Sequence, residues 1–200
     1  MRGRLLTVIV AVFLIGALGG AALLVLSRGG QGPMVEATGK ALIGGPFTLI
    51  DQTGKTVTDQ DFRGRYMLVF FGFTHCPEVC PAELQVMSVA LDELGPKADQ
   101  VVPIFITLDP ERDTQEAMGA FVKNFGSRFV GLTGSPEAIA AAAEAYRVAY
   151  TKFQEDTSKK EYSIDHSGLV YLMGKDGEYI TQFPYGTPAA KMTETLRRYL

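Results

Sequence analysis

The only two cysteines of the 200-residue chain stand four apart in the segment FFGFTHCPEVCP, as Cys76 and Cys80. A thiolate is both a soft metal ligand and the nucleophile of thiol–disulfide exchange, so chemistry is expected first at this pair. In a regular helix the i, i+4 spacing would set both sulfurs on one face. Pro77 disfavours α conformation at Cys76, and Pro81 would collide with the carbonyl of residue 77 in a continuing helix. The pair is therefore expected in a loop at the carboxyl end of a strand, with Cys80 at the threshold of a helix. A helix N-terminus there favours the thiolate. The competing reading is a plain stabilising disulfide, but so short a loop restricts few unfolded conformations and gains little. CxxxC is neither the CxxC of oxidoreductases nor a complete zinc signature.

The chain has two histidines, His75 and His166. His75 adjoins Cys76, and its side chain should project away from its neighbour's. His166 lies in SIDHSG, just before an apolar run. A lone histidine is more often structural than a ligand, and the residues alone leave both roles open. Two thiolates and one imidazole would make a soft set suited to copper, Cu(I) in particular. Structural zinc takes four ligands, and only His75 is at hand as a fourth. Asp109 follows a second apolar run, so its position admits three roles. It is either a charge behind the cysteine loop, or a partner-docking residue there, or simply the turn residue before Pro110.

These residues need elements to place them. Phe47–Ile50 and Thr56–Thr58 flank DQTG and predict a hairpin. Tyr66–Phe73 is an apolar run with the composition of a strand buried on both faces. A helix is predicted from Pro81 to Leu94, with Leu84, Met87, Leu91 and Leu94 on one face and Gly95-Pro96 as its stop. Val101–Leu108 reads as a second buried strand. Asp113 and Glu116 resemble a capping box for a helix to Phe125. Ser135-Pro136 caps a third helix to Tyr146. Leu169–Met173 and Glu178–Phe183 form a hairpin, and a last helix starts at Thr187-Pro188. Strand, helix, strand, helix, hairpin, helix is the order of an α/β sandwich of thioredoxin type, its central sheet mixed. The polar run QEDTSKKE within Tyr146–Tyr162 predicts a mobile flap near the site.

Residues 5–26 carry no charge. As a helix they would span about 33 Å, the thickness of a bilayer's hydrocarbon core. The run is longer than a signal-peptide core and ends in LVLSR, a poor cleavage site. An uncleaved transmembrane anchor is expected over residues 1–28 and a Gly-rich tether over 29–40. One soluble domain, 41–200, would then lie outside the cytoplasm. Beyond residue 28 the chain has 16 basic and 22 acidic residues, a balance that repels phosphate backbones and argues against nucleic acid as a partner.

The segments FFGFTHCPEVCP, ITLDPERDT, FGSRFVGLTGSPE and IDHSGLVYLMGKDG, in this order, resemble the Sco/SenC family of copper-binding cytochrome c oxidase assembly proteins. The resemblance runs over about residues 41–200. It implies a thioredoxin-like fold and copper, as Cu(I) or Cu(II), held by Cys76, Cys80 and His166. It also implies a part in building the binuclear copper centre of cytochrome c oxidase subunit II. Asp109 occupies a characteristic family position, and Glu78 departs from the family's usual Asp while keeping the charge. A copper donor and an upstream thiol reductant would complete the set of partners. The chain would sit in the bacterial inner membrane facing the periplasm, or in the mitochondrial inner membrane facing the intermembrane space.

Two functions follow. A metallochaperone would hold copper and pass it on. A thiol–disulfide oxidoreductase would cycle Cys76 and Cys80 between dithiol and disulfide, without need of His166. A peroxidase reading lacks the expected Thr-x-x-Cys, since Thr74 is only two positions before Cys76.

Overall fold

The computed structural model describes residues 43–154 and 162–200. The expected anchor and tether, residues 1–40, lie outside these. Among the described residues no helix is long and apolar enough to cross a membrane.

Seven strands form one mixed sheet: β1 (Thr48–Asp51), β2 (Thr56–Thr58), β3 (Tyr66–Gly72), β4 (Val101–Thr107), β5 (Val130–Thr133), β8 (Leu169–Met173) and β9 (Tyr179–Pro184). Their order across the sheet is β2-β1-β5-β4-β3-β8-β9. β3 and β4 are parallel, with Tyr66 opposite Val101 and Gly72 opposite Thr107, while β8 runs antiparallel to β3 on its other side. Every β3 residue from Met67 to Gly72 is buried, as expected of a strand covered on both faces. Among the described residues, β6 (Tyr150–Phe153) and β7 (Ser163–His166) pair only with each other, as a separate antiparallel two-stranded sheet.

Alternation along β3 sends Leu68, Phe70 and Gly72 to one face and Met67, Val69 and Phe71 to the other. Phe70 packs on Phe105, and Phe105 on Phe121 of helix α2 (Gln115–Val122). Helix α1 (Val79–Leu94) shares that face: Ser88 donates to the Phe125 carbonyl at 2.7 Å, just beyond α2. Helix α4 (Ala189–Arg197) lies against α1, with Thr193 donating to Glu93 at 2.8 Å. On the opposite face Phe71 meets Tyr146, the C-cap of helix α3 (Pro136–Ala145).

Two readings need correction. The first helix starts at Val79, two residues before Pro81, because the first-turn N–H groups have no intrahelical acceptor and a proline there forfeits nothing. Thr114, not Asp113, caps α2, accepting from the Ala117 N–H at 3.3 Å, and α2 proper stops at Val122. The segment read as a flap contributes strand β6 and most of its polar run lies outside the described residues. Strands β5, β6 and β7 were not anticipated; each is only four residues long, and β6 buries none of its side chains.

Candidate metal centre

The cysteine loop is built by the end of β3 and the start of α1. Cys76 turns back so that its N–H donates to the Phe73 carbonyl at 3.3 Å. Its half-exposed sulfur accepts from the Cys80 N–H at 3.3 Å and receives the backbone of Glu78 and Val79 as well. That is the N-terminus of a 16-residue helix closing on an anionic atom. Cys80 sits one residue inside the helix, fully buried, and both cysteines are free thiols. A Cβ at Gly72 would stand 2.7 Å from Cys80 Sγ and 2.8 Å from the Phe105 ring. Only a glycine leaves the sulfur its seat against the sheet.

His166 arrives from β7, 86 positions along the chain, with Nε2 at 3.7 Å from Cys80 Sγ. Its Nδ1 lies 3.2 Å from the Ser167 carbonyl. A carbonyl only accepts, so this contact assigns the hydrogen to Nδ1 and leaves the Nε2 lone pair facing the thiols. Phe70 and Phe73 rings, with centroids 6.0 and 6.1 Å away, steady the imidazole. A cleft of about 680 Å³ opens over Cys76 and His166, lined further by Phe73, Val79, Phe153 and Ile164.

The donor set fits a soft cation. Sulfur and nitrogen bound to one ion at about 2.3 and 2.0 Å, at 110–120°, stand about 3.5–3.7 Å apart. Cys80 and His166 already have that separation. Among the described residues no three His, Cys, Asp or Glu side chains form a ready-made ligand group. The third donor, the half-exposed Cys76 sulfur, is held beside them by backbone N–H groups.

The two thiols are electrostatically unlike. A hydrogen bond from Cys80 and the helix-terminal N–H groups draw the Cys76 thiol down to about 5, against the desolvation of its partial burial. The same contact with Cys76, with burial and the nearby charges of Cys76 and Asp113 adding to it, pushes the Cys80 thiol up. The pair therefore holds one proton on Cys80 and presents a thiolate at Cys76.

Asp113 is a buried carboxylate whose charge bears on the Cys80 thiol and whose oxygens hold the cysteine loop, a role sequence reading missed. Fully buried, it accepts from Thr74 N–H at 2.9 Å, from Thr74 Oγ1 at 2.6 Å and from Thr107 Oγ1 at 2.6 Å. It thereby ties the cysteine loop to the end of β4. Its only signal in the sequence was the capping pattern, which pointed to a different job. Asp109 is also fully buried, but no contact links it to the thiols. It forms its turn, its carbonyl accepting from the Asp113 N–H at 2.9 Å, and its carboxylate pairs with Arg112 and accepts from Tyr162.

Residues 35–200 match the SCO1/SenC family model. The chain belongs to the SCO1/SenC family. The human mitochondrial SCO1 homolog is 43% identical over 167 residues, covering 80% of this chain and 55% of its own. The chain spans about half the length of the first curated relatives it matches, 44–58%. Among solved structures, Arabidopsis thaliana ScoI with copper bound is similar at TM-score 0.74 and 39% identity, over 78% of this chain and 97% of that one. Bradyrhizobium japonicum ScoI with copper bound is similar at TM-score 0.73 and 43% identity, over 79% and 99%. The expected thioredoxin-like architecture with its mixed sheet is the one these family structures share.

Proposed function

We propose that this SCO1/SenC chain is a copper metallochaperone in which Cys76, Cys80 and His166 hold the ion as cargo. The observation that carries the reading is the approach of His166 Nε2 to Cys80 Sγ, 3.7 Å across 86 positions of sequence. A structural disulfide pair would have no use for that lone pair. Copper in the related ScoI structures supports the choice of ion. As the family resemblance implies, the recipient is the binuclear copper centre of cytochrome c oxidase subunit II. A copper donor and a thiol reductant act upstream. Residues 5–26 anchor the domain in a membrane, with the site outside the cytoplasm.

Chemically, Cys76 supplies a thiolate without need of a base, and Cys80 releases its proton when an ion takes its place. His166 enters as a neutral ligand. The test is anaerobic copper titration of the reduced domain, read by absorption and EPR, for the native chain and for Cys76→Ser, Cys80→Ser and His166→Ala. Each variant is expected to lose tight binding, while His166→Ala still forms the disulfide. Native affinity in His166→Ala sinks the three-ligand site.

A second reading, a reductase acting on the recipient's cysteines, is favoured by the inequality of the thiols. The Cys76 thiolate would attack a target disulfide to give a mixed disulfide. Cys80 would then displace the target thiolate, leaving the Cys76–Cys80 disulfide and two electrons on the target. Full oxidase assembly by His166→Ala would put this reading ahead.

A further inference from the structure

Strand β7 carries His166 at its last position, yet among the described residues β6 and β7 pair as strands only with each other and not with the seven-stranded sheet. An isolated two-stranded hairpin is marginal in water. The imidazole therefore depends on whatever else fastens this hairpin. Ile164 of β7 is buried in the core, and a polar clasp is added at Tyr162, immediately before β7. Its hydroxyl donates to the buried Asp109 carboxylate at 2.6 Å. Arg112, ion-paired with Asp109, donates to the Tyr162 carbonyl at 3.0 Å and lays its guanidinium 3.7 Å from the ring centroid. Lys152 stands 4.8 Å from the same ring and pairs with Glu111 at 2.9 Å. Lys152 lies in β6 opposite Ile164 of β7, so both strands are tied to the 109–112 turn. None of Asp109, Arg112, Lys152 and Tyr162 lines the cleft over the thiols.

We propose that Tyr162 is a positioning residue. Clasped by Asp109, Arg112 and Lys152, it fixes the strand that presents His166 and so sets how long the chain keeps its ion. This rests on the copper-carrier reading. The hydrogen bonds and stacking that Tyr162 makes run to Asp109, Arg112 and Lys152 rather than to a cysteine, so its effect reaches the site through the imidazole. Tyr162→Phe removes one hydrogen bond to a buried carboxylate and keeps the ring over Arg112. Loss of such a bond moves a local opening equilibrium by about 10- to 100-fold. Release through the opened state quickens by that factor. Equilibrium affinity falls much less, because the closed state still dominates.

The experiment loads the reduced chain with Cu(I) anaerobically and follows transfer to excess chelator for the native chain, Tyr162→Phe, Tyr162→Ala and His166→Ala. Metal-free samples are measured by amide hydrogen exchange at residues 163–166 and by the midpoint potential of the Cys76–Cys80 couple. Release and exchange about 10- to 100-fold faster in Tyr162→Phe, at native potential, are expected. Faster exchange with native release would make Tyr162 merely structural and overturn the proposal, leaving the carrier reading in place. Native release in His166→Ala would remove that reading, and the proposal with it. Should Tyr162→Ala fail to fold, the Phe variant decides.

Discussion

Replacing Gly72 with alanine adds one methyl group where the end of β3, Cys80 and Phe105 meet. The added carbon would stand 2.7 Å from Cys80 Sγ and 2.8 Å from the Phe105 ring. Comfortable contact needs about 3.5–4.0 Å, so roughly 1 Å must be found among fully buried groups. Overpacking of this kind costs about 1–3 kcal/mol. Alanine also narrows the unfolded ensemble and recovers about 0.4–1 kcal/mol. The net loss of about 1–2 kcal/mol lowers Tm by about 2–8 °C for a chain of this size. If the sulfur is what moves, Cys80 leaves its ligand spacing from His166, and copper affinity falls about 10- to 100-fold. Calorimetry and anaerobic copper competition read the two effects. Gly119→Ala is the control: in the middle of α2, with its nearest neighbour at 3.6 Å, it should gain about 0.5–1 kcal/mol. A Gly72→Ala chain that melts with the native protein and binds copper equally would refute the reasoning.

Three further outcomes are expected. Titration of the reduced, metal-free chain by thiolate absorbance should show one thiol ionising near 5 and the other still protonated at 9. Because the Cys76 value is depressed on folding, its stabilising effect is complete above about 9 and is lost as pH falls through about 5. Glu83 is buried in α1 with Oε1 unpartnered, and burial raises its carboxyl above the ordinary range. A raised acid stabilises the fold only below its unfolded value, so Glu83→Gln should gain on the order of 1 kcal/mol at pH 7 and nothing at pH 4, by thermal melts at both. Asp113→Ala strands three donors from Thr74 and Thr107 and should cost about 2–4 kcal/mol in denaturant unfolding, with Cys76 losing its fixed place in alkylation kinetics.

Patterns that depend on neighbouring residues were legible in the sequence. The β3 run, the helix capped by Ser135-Pro136 and the hairpin Leu169–Met173 with Tyr179–Pro184 all carry local periodicity or punctuation. β5 escaped notice because VGLT has a glycine in a four-residue strand, which is explained only by Val122 and Met118 packing over Gly131. At the site, the thiol pair announced itself by composition. The imidazole became a strong candidate through family resemblance, since nothing local tells a histidine that a thiol on a helix lies opposite it, 86 positions upstream. Gly72 and Asp113 were invisible for the same reason. One matters for the atom it lacks and the other for donors on two other segments.

The sheet order has a consequence for biosynthesis. β3, which launches the cysteine loop, is flanked on one side by β4 and on the other by β8. While a ribosome is still making residues 163–173, β3 has an open margin and the thiols have no imidazole opposite them. The Cys80 sulfur can already seat against Gly72 and Phe105, while the Cys76 sulfur waits without the imidazole of His166. On the copper-carrier reading, all three donors are present only once residue 166 has been translated.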